Sequence, residues 1–490
     1  MKKVKFFFIL LVAGLMIIPW FNLPDVHLAG HEAEISKPSF SLRAYANGNF
    51  QKQFATWWNR YFGSRGSMLT VKNDVYDMLN FGQFHSGYGG NILQGRYGVI
   101  YESQYILNKF SPYNADDVLK NATETVMLLA KLRDRLEAMG KFFLFVMAPS
   151  KADARCDALP WLWQFRARHS QVPPSMYSLW EKELARKNII YVNALDLLKK
   201  KNILKDSFPD TGTHWSMLAA GLTLEEGVKR LNYAGANFQP IIIKGEKILN
   251  KDYAEERDIA DLLNIKPKYH KGMSTWKYAV YQSISAELSI NTFCFGDSFS
   301  QQIKKNIVQL GFSTLDTAAI IMNRIPTKEE WFQKLNKTDL LILTYTYTKL
   351  NSYRIKREVE TLLNYTDDFI LRNWHPYEKS GKGQWSKYHS SMEFFHNAKN
   401  DCTFSFMIKN KFRAKELCLF INKNKISQIS LNTLSCPQKI IVTIPQHLLR
   451  VGLNRLEFFS NGAVSPKSIS PDSADSRVLG VFCSDFKIDR

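Results

Sequence analysis

From Ala115 onward, apolar residues recur at three- and four-residue spacing (Val118, Ala122, Val126, Leu129, Leu132, Leu136, Met139) and stop at Gly140, which predicts an amphipathic helix with a glycine C-cap. Six consecutive apolar residues, Phe142 to Met147, follow at once, a run suited to a strand covered on both faces. The alternation returns as a helix near Ser175 to Lys187, a strand Ile189 to Val192, a helix from Ser216 to about Leu231, a strand ending at Ser298, and a strand Leu340 to Thr344. Upstream, a turn at Gly95 leads into a short strand reaching Tyr101. This grammar predicts a three-layer α/β/α sandwich with a mostly parallel sheet over residues 85–370. Beyond about residue 375, short alternating runs take over: Thr403 to Ile408, Leu417 to Ile421, Lys425 to Leu431, Lys439 to Ile444, Arg455 to Phe459 and Leu479 to Cys483. They predict a second unit, an all-β sandwich over 375–490.

The N-terminal part reads differently. Lys2, Lys3 and Lys5 precede an apolar run from Phe6 to Phe21, broken only by Pro19, so residues 1–22 are expected to be a signal peptide or signal anchor. No small-x-small cleavage site follows, which favours a retained anchor in the inner membrane and export of the remainder. Within 23–84, a polar spacer gives way to Phe54, Trp57, Trp58, Tyr61 and Phe62 at helical spacing, expected to form a core face.

Composition narrows the partners. Lysine and arginine number 65 against 45 acidic residues, giving a formal charge of +20 that attracts anionic polymers or lipid. The expected anion is an acidic polysaccharide and not nucleic acid. The six cysteines (156, 294, 402, 418, 436 and 483) show no metal-type spacing, and the last four are compatible either with disulfides or with buried thiols. With no metal motif and no phosphate-cradling glycine loop, no cofactor is expected.

Candidate chemistry sits at strand ends, where open α/β sheets collect function. Gly296-Asp297-Ser298 ends an apolar strand and can lift the Ser298 hydroxyl out of the sheet edge, although the same tripeptide also spells an ordinary turn or N-cap. A serine oxygen needs a base, and His214, in Asp210-Thr211-Gly212-Thr213-His214-Trp215-Ser216 just before a helix, is the candidate. Gly296, Ser150 and Lys151, and amides at the start of the helix after Ser298, are candidates for oxyanion or substrate contacts, and Tyr345 and Tyr347 for the cleft wall. Trp374, Trp385 and Tyr388, in a Gly- and Lys-rich stretch before the β-sandwich, are candidates for stacking on sugars.

At Gly296-Asp297-Ser298-Phe299-Ser300, Thr213-His214-Trp215, Gly95 to Tyr101 and Ala148-Pro149-Ser150-Lys151, the chain resembles the alginate O-acetyltransferase family, the exported SGNH-hydrolase-like proteins of the AlgJ and AlgX type. The resemblance spans roughly residues 50–350. It implies an SGNH-like fold, Ser298 as the acyl-carrying nucleophile, His214 as base, a polysaccharide acceptor, and a multi-pass membrane-bound O-acyltransferase as acetyl donor. It also implies an aspartate two residues before the histidine, where this chain has Gly212. Asp210 on a bulged loop is the expected substitute, and Asp206, Asp297 or a Ser-His dyad are the other arrangements. Two further functions use the same features: an exported carbohydrate esterase, and a non-catalytic polysaccharide-binding scaffold.

Overall fold

The computed structural model describes residues 36–489, apart from 62–69, 73–74, 76–82, 86–90, 112, 170–174, 250–256, 264–275, 282–289, 311–325, 351, 368, 376–377, 379–382, 398–399 and 433–435. The apolar run of residues 1–22 lies outside the described residues, and among those described no helix is long and apolar enough to cross a membrane. In chain order the strands are β1 (Gln83–His85), β2 (Asn91–Gln94), β3 (Ile100–Glu102), β4 (Phe142–Ala148), β5 (Tyr191–Asn193), β6 (Ile243–Leu249), β7 (Trp276–Tyr281), β8 (Thr292–Gly296) and β9 (Leu340–Thr346). Those of the C-terminal part are β10 (Phe369–Trp374), β11 (Gln384–His396), β12 (Cys402–Lys411), β13 (Glu416–Ile421), β14 (Asn424–Ser430), β15 (Gln438–Ile444), β16 (Gly452–Asn461) and β17 (Val481–Asp489).

The central sheet is parallel, in the order β5-β4-β9-β8. The helix Ala115–Ala138 that feeds it starts at Asn114, whose side chain accepts the Asp116 amide, and carries Asp116 and Asp117 in its first turn, where carboxylates favour the helix dipole. Its apolar stripe packs on one face of the sheet with Phe145, Trp180, Leu343 and Tyr345. The helix Met217–Tyr233, capped by Ser216, covers the other face with Leu144, Val146, Cys294 and Ile342. Covered on both sides, β9 is buried along its whole length, as its unbroken run of apolar residues and threonines requires.

The short strands around Gly95 do not join this sheet. β1, β2 and β3 form a separate antiparallel sheet, and the two-stranded antiparallel pairing of β6 with β7 was not expected from the pattern. Of the aromatic stripe expected to form a core face, Phe62 lies outside the described residues, and Phe54 and Trp58 do not form one. In the helix Asn49–Tyr61, Phe54 and Trp58 stay more than a third exposed, stacked on one another and, through Phe50, against Phe40.

The C-terminal strands are all antiparallel and enclose their own core of Phe404, Phe406, Leu417, Leu419, Leu456 and Phe458. Two of them, β10 and β11, were not foreseen. β11 is the corner strand: residues 389–396 pair with β16 in one sheet and Gln384 and Trp385 with β17 in the other. Trp374 and Trp385 are therefore strand residues rather than loop residues. Trp374 packs edge-on against Phe458 and Phe486, Trp385 is buried on Phe482, and Tyr388 alone of the three is well exposed. None of the six cysteines is disulfide-bonded. The β-sandwich meets the α/β unit through Ile370 and Phe395, with Phe395 against Phe332 at 4.8 Å. A small cavity beside this joint is lined by Arg135, Ala138, Met139, Thr366, Phe395 and His396, at the end of the sheet where β4 and β9 begin.

One backbone approach holds the carboxyl edge in shape. Gly296 lies at φ +148°, and a Cβ there would stand 1.8 Å from the Thr344 carbonyl oxygen of β9. Gly296→Ala is expected to destabilise the fold by about 3 kcal/mol or more, since backbone strain and overpacking add. Urea denaturation followed by circular dichroism measures this, and wild-type stability would contradict it.

Candidate active site

Two loops meet at the carboxyl edge of the sheet. The first leaves β8, where the Asp297 amide donates to the Thr344 carbonyl and the Asp297 carboxylate is stapled to β9. One oxygen accepts the Thr346 amide at 2.7 Å and the Thr346 hydroxyl at 2.8 Å, and the other accepts the Phe299 amide at 3.1 Å. Burial pushes the Asp297 carboxyl above its usual range, and these hydrogen bonds oppose that shift. The turn so fixed holds Ser298 half-buried at the mouth of the helix Ser300–Gln309. The amides of Phe299 and Ser300 are both spent on Asp297, so neither of these two helix-start amides is left to serve an oxyanion.

The second loop, residues 210–216, lies against the first. The Trp215 indole N–H donates to the Phe299 carbonyl at 3.0 Å, and the Phe299 ring packs 5.2 Å from that of His214. The histidine Nδ1 is bonded to Asp258 Oδ2 at 2.8 Å. Its Nε2 is buried and makes no hydrogen bond in this structure.

Asp210 does not reach the histidine. Its carboxylate pairs with the Arg155 guanidinium at 2.6 Å, and its carbonyl accepts the Ile100 amide and the Lys151 ammonium, both at 2.8 Å. Lys151 also donates to the Gly212 carbonyl at 2.8 Å and lies over the Tyr101 ring. It is thus a fully buried strut under the histidine loop, not a group in the cleft. Burial pulls its pKa down to about 7, against the Asp210 carboxylate, which raises it. A neutral amine keeps two N–H donors, matching the two carbonyls it faces.

The other expected contacts fall elsewhere. Ser150 caps the turn Lys151–Ala154, its hydroxyl donating to Asp153 Oδ2 at 2.6 Å and accepting the Asp153 amide, and it is fully buried. Tyr345 points into the core, its hydroxyl on Glu358 at 2.7 Å, because alternation along β9 sends Thr344 and Thr346 to the other face. Tyr347 packs on Tyr177. Gly296 acts through its backbone, as above. Asp206 sits on the turn Leu204–Ser207.

Asp258 is the functional candidate that the sequence did not reveal. It opens the short helix Asp258–Leu262 far down the chain, and its only local signal is a carboxylate at the head of the apolar Ile259-Ala260-Asp261-Leu262-Leu263.

Comparison with known proteins bears on the segment that carries His214. Residues 109–236 match the SGNH hydrolase-like domain of the acetyltransferase AlgX. This AlgX-like segment contains His214 and ends before Asp258 and Ser298. No curated protein matches the chain. Among solved structures, the O-acetyltransferase domain of AlgJ from Pseudomonas putida aligns at 11% identity over 56% of this chain and 99% of that one, with a TM-score of 0.38. AlgX from Pseudomonas aeruginosa aligns at 12% identity over 81% and 91%, also at 0.38. A family 35 carbohydrate-binding module from an environmental isolate aligns at 12% identity over 25% of this chain and 82% of its own, at 0.17.

The Lys151 strut generates a pH test. Between pH 7 and its ordinary value of 10.5, the unfolded chain holds the lysine proton and the folded chain releases it, so the contribution of Lys151 to stability rises with pH. Lys151→Met removes that rise. The melting temperature of the variant relative to wild type is therefore expected to fall as pH goes from 7 to 10 in scanning calorimetry, and a constant difference would mean that the ammonium stays charged throughout.

Proposed function

We propose that this protein is an O-acetyltransferase of extracytoplasmic polysaccharide that works through a serine acyl-enzyme, with Ser298 as nucleophile and His214 as base. The observation that carries the reading is the contact between the two loops: the turn bearing Ser298 lies against the His214 ring, whose Nδ1 is held while its buried Nε2 is uncommitted. The match of residues 109–236 to an acetyltransferase domain supports acyl transfer as the chemistry.

In this reading the Ser298 hydroxyl gives its proton to His214 Nε2 as its oxygen attacks the acetyl carbonyl. The histidine passes that proton to the departing group. An acceptor sugar hydroxyl then gives its proton to Nε2 and attacks the acetyl-serine, and the proton returns to Ser298 as the ester breaks. The histidine Nδ1 needs an acceptor throughout, and a carboxylate occupies that position. Gly212, where the resemblance implies an aspartate, would favour a non-catalytic scaffold, and in this reading Asp258 supplies the carboxylate instead. A periplasmic site with attachment through residues 1–22, and a membrane-bound O-acyltransferase as acetyl donor, belong to the same proposal. The acidic acceptor is supported by the net charge of +20.

The test is acylation of the full chain in mild detergent by 4-nitrophenyl acetate, followed by peptide mass spectrometry. Wild type is expected to carry acetyl on Ser298, Ser298→Ala to carry none, and His214→Ala to acylate about 10³-fold more slowly or worse. An adduct that survives Ser298→Ala would remove the serine from the mechanism.

A further inference from the structure

We propose that Asp258 is the positioning residue of His214, taking over from a distant segment the place that Gly212 leaves empty in the histidine loop. This rests on the reading of His214 as base, but the contact that carries it stands without Ser298.

Asp258 engages the loop with both carboxylate oxygens. Oδ2 takes the His214 Nδ1 at 2.8 Å, and Oδ1 accepts the Thr213 amide at 2.7 Å and the Ile259 amide at 2.8 Å. The carboxylate therefore bridges the imidazole ring and the Gly212–Thr213 peptide group, which fixes the ring relative to its own loop. Accepting from Nδ1–H selects the tautomer whose Nε2 keeps a lone pair to take a proton, and a negative partner stabilises the imidazolium that results. The rivals are engaged elsewhere: Asp210 by Arg155, and Asp297 by Thr346 and Phe299.

The segment carrying Asp258 is docked on the same floor as the histidine loop. Ile259, Ala260 and Leu263 are buried with Ile92 of β2 and Ile100 of β3, and the Ala260 amide donates to the Thr211 carbonyl at 3.1 Å. Ile100 also donates its amide to the Asp210 carbonyl at 2.8 Å. One residue of β3 thus fixes the heights of both histidine loop and carboxylate, so the small antiparallel sheet outside the main fold sets the geometry of the pair.

Two measurements on the full chain test the assignment. With 15N-histidine labelling, a far-downfield Nδ1 proton resonance is expected in wild type, absent in His214→Ala and Asp258→Asn and retained in Asp210→Asn. Its persistence in Asp258→Asn would overturn the proposal whatever happens at Ser298. In single-turnover acylation by 4-nitrophenyl acetate, Asp258→Asn is expected to slow the chemical step about 10²- to 10⁴-fold with little change in half-saturating ester concentration, as loss of the orienting carboxylate does in other serine enzymes. Asp258→Glu, which keeps the charge, is expected to recover part of that rate, and Asp210→Asn to stay within about tenfold of wild type. A wild-type rate in Asp258→Asn, with Ser298→Ala and His214→Ala both inactive, would leave the acyl-serine reading standing and remove Asp258 from it.

Discussion

The carboxyl edge of the sheet depends on a backbone-to-backbone approach that only a glycine permits. Because Gly296 carries no side chain, β8 can close on the Thr344 carbonyl and the next amide can bond to it. Asp297 then turns back onto Thr346 rather than outward. A buried carboxylate is costly unless its oxygens are satisfied, and here three donors satisfy it. Its work is mechanical: it converts the end of a strand into a rigid turn with a hydroxyl at its tip.

The histidine loop is held by different means. The four residues from Asp210 to Thr213 are tied by a lysine, an arginine, the Ile100 and Ala260 amides and Asp258, with Lys151 and Arg155 sealed beneath them. The Lys151 amine and the Nη1 of Arg155 are bonded to carbonyls and a carboxylate of the loop itself, so the loop cannot move without leaving a buried donor unpaired. The aspartate that lies nearest to the histidine in sequence, Asp210, is taken up by this scaffolding. That leaves the imidazole to a carboxylate brought in from another part of the chain.

This division explains what could be read from the residues alone. The α/β core was legible because each of its elements is local: Ala115–Ala138 carries its own apolar stripe and caps, and β4 and β9 are continuous apolar runs. The parallel character of the sheet follows from such runs alternating with helices, and the β-sandwich from the short alternating runs beyond about residue 375. β11 was not legible, since Gln384–His396 mixes the exposed Lys387 and Tyr388 with polar residues that are themselves buried, Ser386, Ser390 and Ser391, so that neither an apolar run nor a clean alternation shows. Asp258 was the harder case. No periodicity or spacing connects it to His214, and the contact exists only because Ile259 and Leu263 dock on Ile92 and Ile100. Tyr345 shows the converse error: a strand end points to the cleft, but which residue faces it is decided by alternation, and that parity sends Tyr345 into the core.

The joint at Phe332 and Phe395 bears on how the two units influence one another. It is built at the end of the sheet where β4 and β9 begin, with the seven residues of each strand, about 20 Å, between it and the loops of Ser298 and His214. Among the described residues, this joint therefore lies at the opposite end of β4 and β9 from those loops, with two largely buried strands between them. A change on the outer faces of the β-sandwich thus acts on those loops, if at all, along the length of these strands rather than across a shared surface at Phe332 and Phe395.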